Sequence, residues 1–203
     1  FFTTAGRVYR LKCYEVPEGS RTSKGMNIVN LLPLTGDEKV SAMIHTQEFD
    51  EESYLCMVTR QGVIKRTRLS AYANARKSGL IAIDLDEGDE LAWVQRTDGY
   101  QKLLVATKDG MAICFDENDA RVVGRTARGV KAIALSEGDR VVGMELYDPD
   151  RLLLTVTETG YGRLNGFEDY RIQSRGGKGL INYHTGEYGP VAAVRAVTPE
   201  EDL

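Results

Sequence analysis

Four copies of one pattern constrain this chain more than any other feature. An apolar run closes on a threonine-containing turn with glycine at Phe1 to Gly6, Leu55 to Gly62, Leu103 to Gly110 and Leu152 to Gly160. The turn glycines are 56, 48 and 50 residues apart. A short basic segment then closes on Gly25, Gly79, Gly129 and Gly179, at offsets of 19, 17, 19 and 19 residues from the turn. Two landmarks that hold one phase over four units define a repeat array. Its units run approximately over 1–47, 48–98, 99–147 and 148–198.

Within a unit the period is that of strands. Met111 to Phe115 leaves the first turn, Val130 to Leu135 leaves the basic segment, and Val141 to Leu146 follows a second turn at Ser136-Glu137-Gly138-Asp139. Unit two repeats these parts in Leu80 to Leu85, Asp86-Glu87-Gly88-Asp89 and Leu91 to Val94. Glycine supplies the positive φ that tight hairpins require. Four short strands in about 50 residues predict an all-β array of propeller-like, four-stranded antiparallel blades. The one helical hint is Leu69 to Ala73, a single turn. No Pro-rich or Ser-rich linker divides the chain, so it reads as one domain.

Composition narrows the function. Two histidines, His45 and His184, leave little material for a metal centre or a histidine-based triad. Cys13, Cys56 and Cys114 form no C-x-x-C pair and read as reduced, packed thiols of a cytosolic protein. No apolar run approaches the roughly 20 residues that span a bilayer. No charged-then-apolar leader is seen, and the start at Phe1 without methionine reads as a piece of something longer. Tyrosines on such strands, Tyr161 and Tyr170 among them, read as packing residues, and Trp93 as a core anchor.

The 26 basic and 30 acidic side chains leave a net charge of −4, so any polyanion-binding claim rests on where the cations sit. They are phased. Arg21 and Lys24, Arg76 and Lys77, Arg125, Arg128 and Lys131, and Arg171, Arg175 and Lys178 recur at the same landmark, with Lys65, Arg66 and Arg68 added in unit two and Arg163 in unit four. Acidic residues prefer the other turn, at Asp37-Glu38, Asp84 to Glu90, Glu137 and Asp139. Side-by-side stacking of the units lines up the basic segments along one edge. Single clusters of this kind are ordinary solvated loop charge; four in phase predict a positive stripe suited to the phosphates of duplex DNA. Few aromatics accompany them, which disfavours single-strand binding by base stacking.

The sharpest local motif is Gln173-Ser174-Arg175-Gly176-Gly177-Lys178-Gly179, a loop of three glycines and two cations able to clasp a phosphate. It is not a Walker A sequence, because Lys178 precedes glycine and not Ser or Thr. Gly160-Tyr161-Gly162 does not complete a dinucleotide fingerprint, since Asn165 stands where the last glycine belongs.

Together with Gly6 to Lys12, Asn30 to Leu34, Leu85 to Leu91 and Gly124 to Val130, this loop resembles the C-terminal domain of the DNA gyrase A protein. The Gln173 to Gly179 stretch is similar to that family's glycine-rich DNA-wrapping box, with Ser174 where a basic residue is typical. The resemblance covers essentially the whole chain. It implies a β-pinwheel of six blades that exchange strands, of which four are present, the second to the fifth. It further implies duplex DNA wrapped on a basic rim, Gln173, Gly176, Gly177 and Gly179 included in the contact. The implied parent is an ATP-dependent type IIA topoisomerase that introduces negative supercoils, with the gyrase B protein as partner. Catalytic residues, ATP and Mg2+ are expected elsewhere in that parent, and no cofactor is expected in this chain. A cytoplasmic, chromosome-associated location follows. Two alternatives stand beside this reading: a propeller-type protein-interaction scaffold and the homologous domain of topoisomerase IV.

Overall fold

The computed structural model describes residues 1–201. Repeat one carries β1 (Phe2–Thr3), β2 (Arg7–Val8) and β3 (Val40–Ala42), and repeat two carries β4 (Tyr54–Thr59), β5 (Val63–Arg68), β6 (Leu80–Ile81) and β7 (Leu91–Thr97). Repeat three follows with β8 (Lys102–Thr107), β9 (Met111–Asp116), β10 (Val130–Lys131) and β11 (Val141–Leu146). Repeat four ends the series with β12 (Leu152–Thr157), β13 (Gly162–Gly166), β14 (Leu180–Ile181) and β15 (Val191–Val197). The one α-helix described is the single turn Thr185–Tyr188, and the hint at Leu69 is a 3-10 turn over Leu69–Tyr72.

Sheets and repeats do not coincide. The sheets run β3-β1-β2-β6, β10-β5-β4-β7, β11-β8-β9-β14 and β13-β12-β15, all antiparallel. Each repeat's short strand after the basic segment is therefore given to the sheet before it. The expected four antiparallel, propeller-like repeats are present, and the exchange leaves the fourth sheet with three strands among the described residues, because β14 completes the third.

The repeated turn explains the exchange. In the last three copies the glycine N–H donates to the threonine carbonyl three residues earlier, at 3.1 Å each time. The threonine hydroxyl then accepts the N–H of the residue after the glycine, at 3.1–3.2 Å for Thr59, Thr107 and Thr157. The carbonyls of Gly6, Gly62 and Gly110 remain free and accept the N–H of Ala82, Ala132 and Asn182, each at 2.7 Å, from the repeat that follows. Gly110 has a φ of 86°, and a Cβ there would lie 2.1 Å from the Tyr183 carbonyl oxygen. Only glycine allows this approach.

Packing is sheet against sheet. On β4, Leu55 and Met57 face the first sheet with Phe2 and Tyr72, while Cys56 and Val58 face the third with Leu103 and Phe115. On β8, Leu104 and Ala106 face the fourth with Leu153 and Phe167. A strand covered on both faces loses the alternation of a half-buried one. β12 is buried only at alternate positions, so Leu152, Leu154 and Val156 stay half-buried on its outer face. Burial pushes the Cys56 and Cys114 thiols up to about 12, as packed thiols require, whereas Cys13 is exposed and departs from that expectation.

Lys65 lies in this interior. Its ammonium donates to the carbonyl of Ala82 at 2.6 Å and to that of Arg125, joining β6 to the next repeat's basic loop. Burial, and then the Arg125 guanidinium, lower it from 10.5 to about 7, with Asp84 opposing. The unfolded chain therefore binds more protons between pH 7 and 10.5, and stability rises with pH through that window. The stability of wild type relative to Lys65→Met should grow from pH 7 to 10 in urea unfolding; a flat difference would show the amine to be unshifted.

Candidate nucleic-acid interface

The sheet order defines an inside and an outside. β7 packs against β3 and β11, and β11 against β15, so these strands line the inner edge. The exchanged strands β6, β10 and β14 are the opposite, outer strands of their sheets. The acidic turns sit beside the glycine turns: Asp89 accepts the Gln61 N–H at 2.9 Å and Asp139 the Asp109 N–H at 3.0 Å. The basic loops of repeats three and four close on the outer strands.

Two positions in those loops divide the work. Four residues before the closing glycine stand Arg125 and Arg175, both half-buried. Arg125 donates from Nη1 to the Ile81 carbonyl at 2.7 Å, and Arg175 from Nη1 to the Lys131 carbonyl and from Nε to the Asp119 carbonyl, both at 2.8 Å. These guanidiniums strap each loop to the preceding outer strand, whose carbonyls no further strand pairs. The Gly176 N–H adds a bond to the Ala132 carbonyl at 2.6 Å, and the Gly177 carbonyl accepts from Ala134 at 2.8 Å. One residue before the closing glycine stand Arg128 and Lys178, both exposed. Arg128 forms a bidentate pair with Asp86, which holds its pKa up and offsets its charge. Lys178 makes no hydrogen bond or ion pair among the described residues.

The other cations fall into three groups. Arg76, Lys77, Lys131 and Arg171 are exposed and without a side-chain partner among the described residues. Repeat two's loop is two residues shorter, and buried Ala75 replaces the strap arginine four before Gly79, so its cations occupy the intervening positions. Arg21 and Lys24 lie on an exposed loop and make no side-chain hydrogen bond or ion pair among the described residues, while Arg163 on β13 donates to Asn165 at 2.6 Å. Arg68 is exposed, donates to the Glu51 carbonyl and lies over Tyr54.

Lys65 and Arg66 are not on the rim. Both were expected among the basic contacts, and both are buried. β5 is covered on each face from Ile64 to Thr67, so Lys65 and Arg66 turn inward, and only Arg68 at its end is exposed. Arg66 pairs with the buried Glu117 at 3.3 Å and donates to Asn118 at 2.8 Å. Trp93, expected as a core anchor, is partly buried under the Arg60 guanidinium, 4.7 Å from its ring. Exposed Arg121, the counterpart of Arg171 one repeat earlier, was missed by the sequence reading, although its 50-residue spacing from Arg171 is the signal that finds it. Gln173 is half-buried, its N–H bonded to the Cys114 carbonyl at 2.9 Å. Across the described residues no three His, Cys, Asp or Glu side chains group as metal ligands, and no helix is long and apolar enough to cross a membrane.

Comparison with known proteins agrees with this geometry. Residues 1–47, 53–98, 101–148 and 151–198 each match the family described as the DNA gyrase C-terminal domain, beta-propeller. The DNA gyrase A protein of Clostridium acetobutylicum is 53% identical over 204 residues, covering all of this chain and 25% of that protein. Its counterpart in Halalkalibacterium halodurans is 53% identical over 131 residues, 64% of this chain and 16% of that protein. The chain thus spans a quarter or less of these relatives. Among solved structures, the C-terminal domain of DNA topoisomerase IV superposes with a TM-score of 0.88 at 28% identity, over 97% of this chain and 62% of that one. The DNA gyrase A C-terminal domain superposes with a TM-score of 0.81 at 26% identity, over 97% and 64%. The exchanged strands, the four matched repeats and the full-length identity lead to one assignment: the chain belongs to the DNA gyrase C-terminal domain family of β-propeller-like folds.

Proposed function

We propose that this domain binds duplex DNA along its outer edge through the phosphate backbone and bends it there. The domain would thereby support negative supercoiling by a parent gyrase. The observation that carries the reading is the division within the basic loops. Arg125 and Arg175 hold the loops of repeats three and four on the outer strands, with Lys178, Lys131 and Arg171 exposed and unpaired among the described residues, as are Arg76 and Lys77 in the strapless loop of repeat two. Fixed backbone and mobile ammonium heads suit phosphate contact, which positions a duplex without reading its bases. In the parent, the remainder of the gyrase A protein and the gyrase B protein are the partners, ATP and Mg2+ serve those other parts, and the setting is the cytoplasmic chromosome. The topoisomerase IV reading draws on the 0.88 superposition. The 53% identity to the gyrase A protein over the entire chain favours gyrase.

Lys178→Ala should weaken binding about equally on unrelated duplexes and lower the slope of log K against log salt by roughly one unit. Fluorescence anisotropy across a salt series measures both. An unchanged slope with loss confined to one sequence would replace phosphate contact by base readout. Wild-type binding that ignores salt would favour the protein-scaffold alternative.

A further inference from the structure

We propose that Ile81 and Ile181 are apolar contact points for the duplex, pressing on deoxyribose faces where a groove turns toward the outer edge. The inference rests on the DNA reading above and assigns it residues that charge alone does not reveal. Residues 81, 131 and 181 stand at 50-residue intervals and are each the second residue of an exchanged outer strand. The preceding residue, Leu80, Val130 or Leu180, is half-buried and anchors the strand. The second residue projects outward: Ile81 is 49% and Ile181 63% exposed, and Lys131 is exposed between them in the series. A lone exposed isoleucine is ordinary. Two at one repeat position, on outer strands that follow directly on the exposed Arg76 and Lys77 in one case and on the exposed Lys178 in the other, form a pattern.

The backbone at this position is held firmly. The Ile81 carbonyl is clasped by Arg125 and the Lys131 carbonyl by Arg175. Ile81 pairs with Arg7 on β2, and Ile181 with Met111 on β9. A β-branched side chain on a paired strand has little rotamer freedom to lose on contact. The exposed cations of the segments leading into these strands select the occupant, because lysine is depleted in the cores of protein–protein interfaces and enriched against phosphate. Sugar carbons line the groove between the phosphate rows, and apolar side chains facing a bent duplex meet that surface.

The test compares the 203-residue chain with Ile81→Thr/Ile181→Thr and Ile81→Val/Ile181→Val, titrated with a 40-base-pair duplex across salt and temperature. Threonine keeps the strand-favouring branch and removes apolar surface, and thermal melting checks that both variants fold. The expected result is roughly a tenfold loss for the threonine pair at every salt concentration with the salt slope unchanged. The heat-capacity change of binding should become less negative, and the valine pair should retain most of the affinity. Salt-dependent binding that is equal in wild type and the threonine pair overturns this inference and leaves phosphate contact standing. Absence of duplex binding by the wild-type chain overturns both.

Discussion

Replacing Glu117 with leucine should lower the unfolding free energy by about 3–5 kcal/mol, the usual consequence of removing one partner of a buried ion pair. The substitution looks benign from sequence, because Leu69 and Phe167 occupy the corresponding place in repeats two and four. Glu117 is fully buried, however, and each of its oxygens is used. Oε1 accepts the N–H groups of Gly99 and Gln101 at 2.9 and 2.8 Å, and Oε2 accepts the Thr97 hydroxyl at 2.6 Å and the Arg66 guanidinium at 3.3 Å. Leucine would strand a buried guanidinium and two amides at the join of repeats two and three. Urea unfolding measures the loss; a change below about 1 kcal/mol would mean that water reaches Arg66 and that the pair is not buried in solution.

The second large effect is Gly179→Ala, which should cost about 3 kcal/mol or more and detach β14 from β9. Gly179 has a φ of 78°, and a Cβ there would lie 2.2 Å from the Ala112 carbonyl oxygen. The neighbouring glycines supply a graded series within one loop. At Gly176, φ is 83° with the nearest atom at 3.5 Å, so alanine meets backbone strain alone, about 1–2 kcal/mol. Gly177 has neither a positive φ nor any atom closer than 3.9 Å, and alanine there should be neutral within about 0.5 kcal/mol. Thermal or urea unfolding of the three variants should order them Gly179, Gly176, Gly177. Equal costs would mean that the loop reshapes freely and that its glycines do not dock the outer strand.

Local and tertiary information separate cleanly in this molecule. The repeat, its strand period and its turn chemistry are local, and they were legible: the threonine in each of the last three turns caps the residue after the glycine, so the pattern is written in adjacent residues. Strand exchange entered through family resemblance, because sequence order alone leaves open whether β6 pairs with β5 or with β2. The Gly6, Gly62 and Gly110 carbonyls decide it by accepting from the following repeat.

The cations divide along the same line. Phase in the sequence placed Arg125, Arg128, Arg175 and Lys178 in one recurring loop, since a repeat puts equivalent residues in equivalent places. It could not tell strap from free charge. A guanidinium four residues before the glycine meets an unpaired carbonyl of the neighbouring outer strand, and that carbonyl belongs to a residue 44 positions away in both cases. Lys65 and Arg66 read as two more members of the basic set, yet coverage of β5 on both faces turns them inward and makes one a backbone tie and the other half of an ion pair. Composition along the chain determines which residues recur and where the turns fall. Only the packing of one sheet on the next decides which charges meet solvent, because burial depends on what lies across a strand, and the sequence of that strand does not contain it.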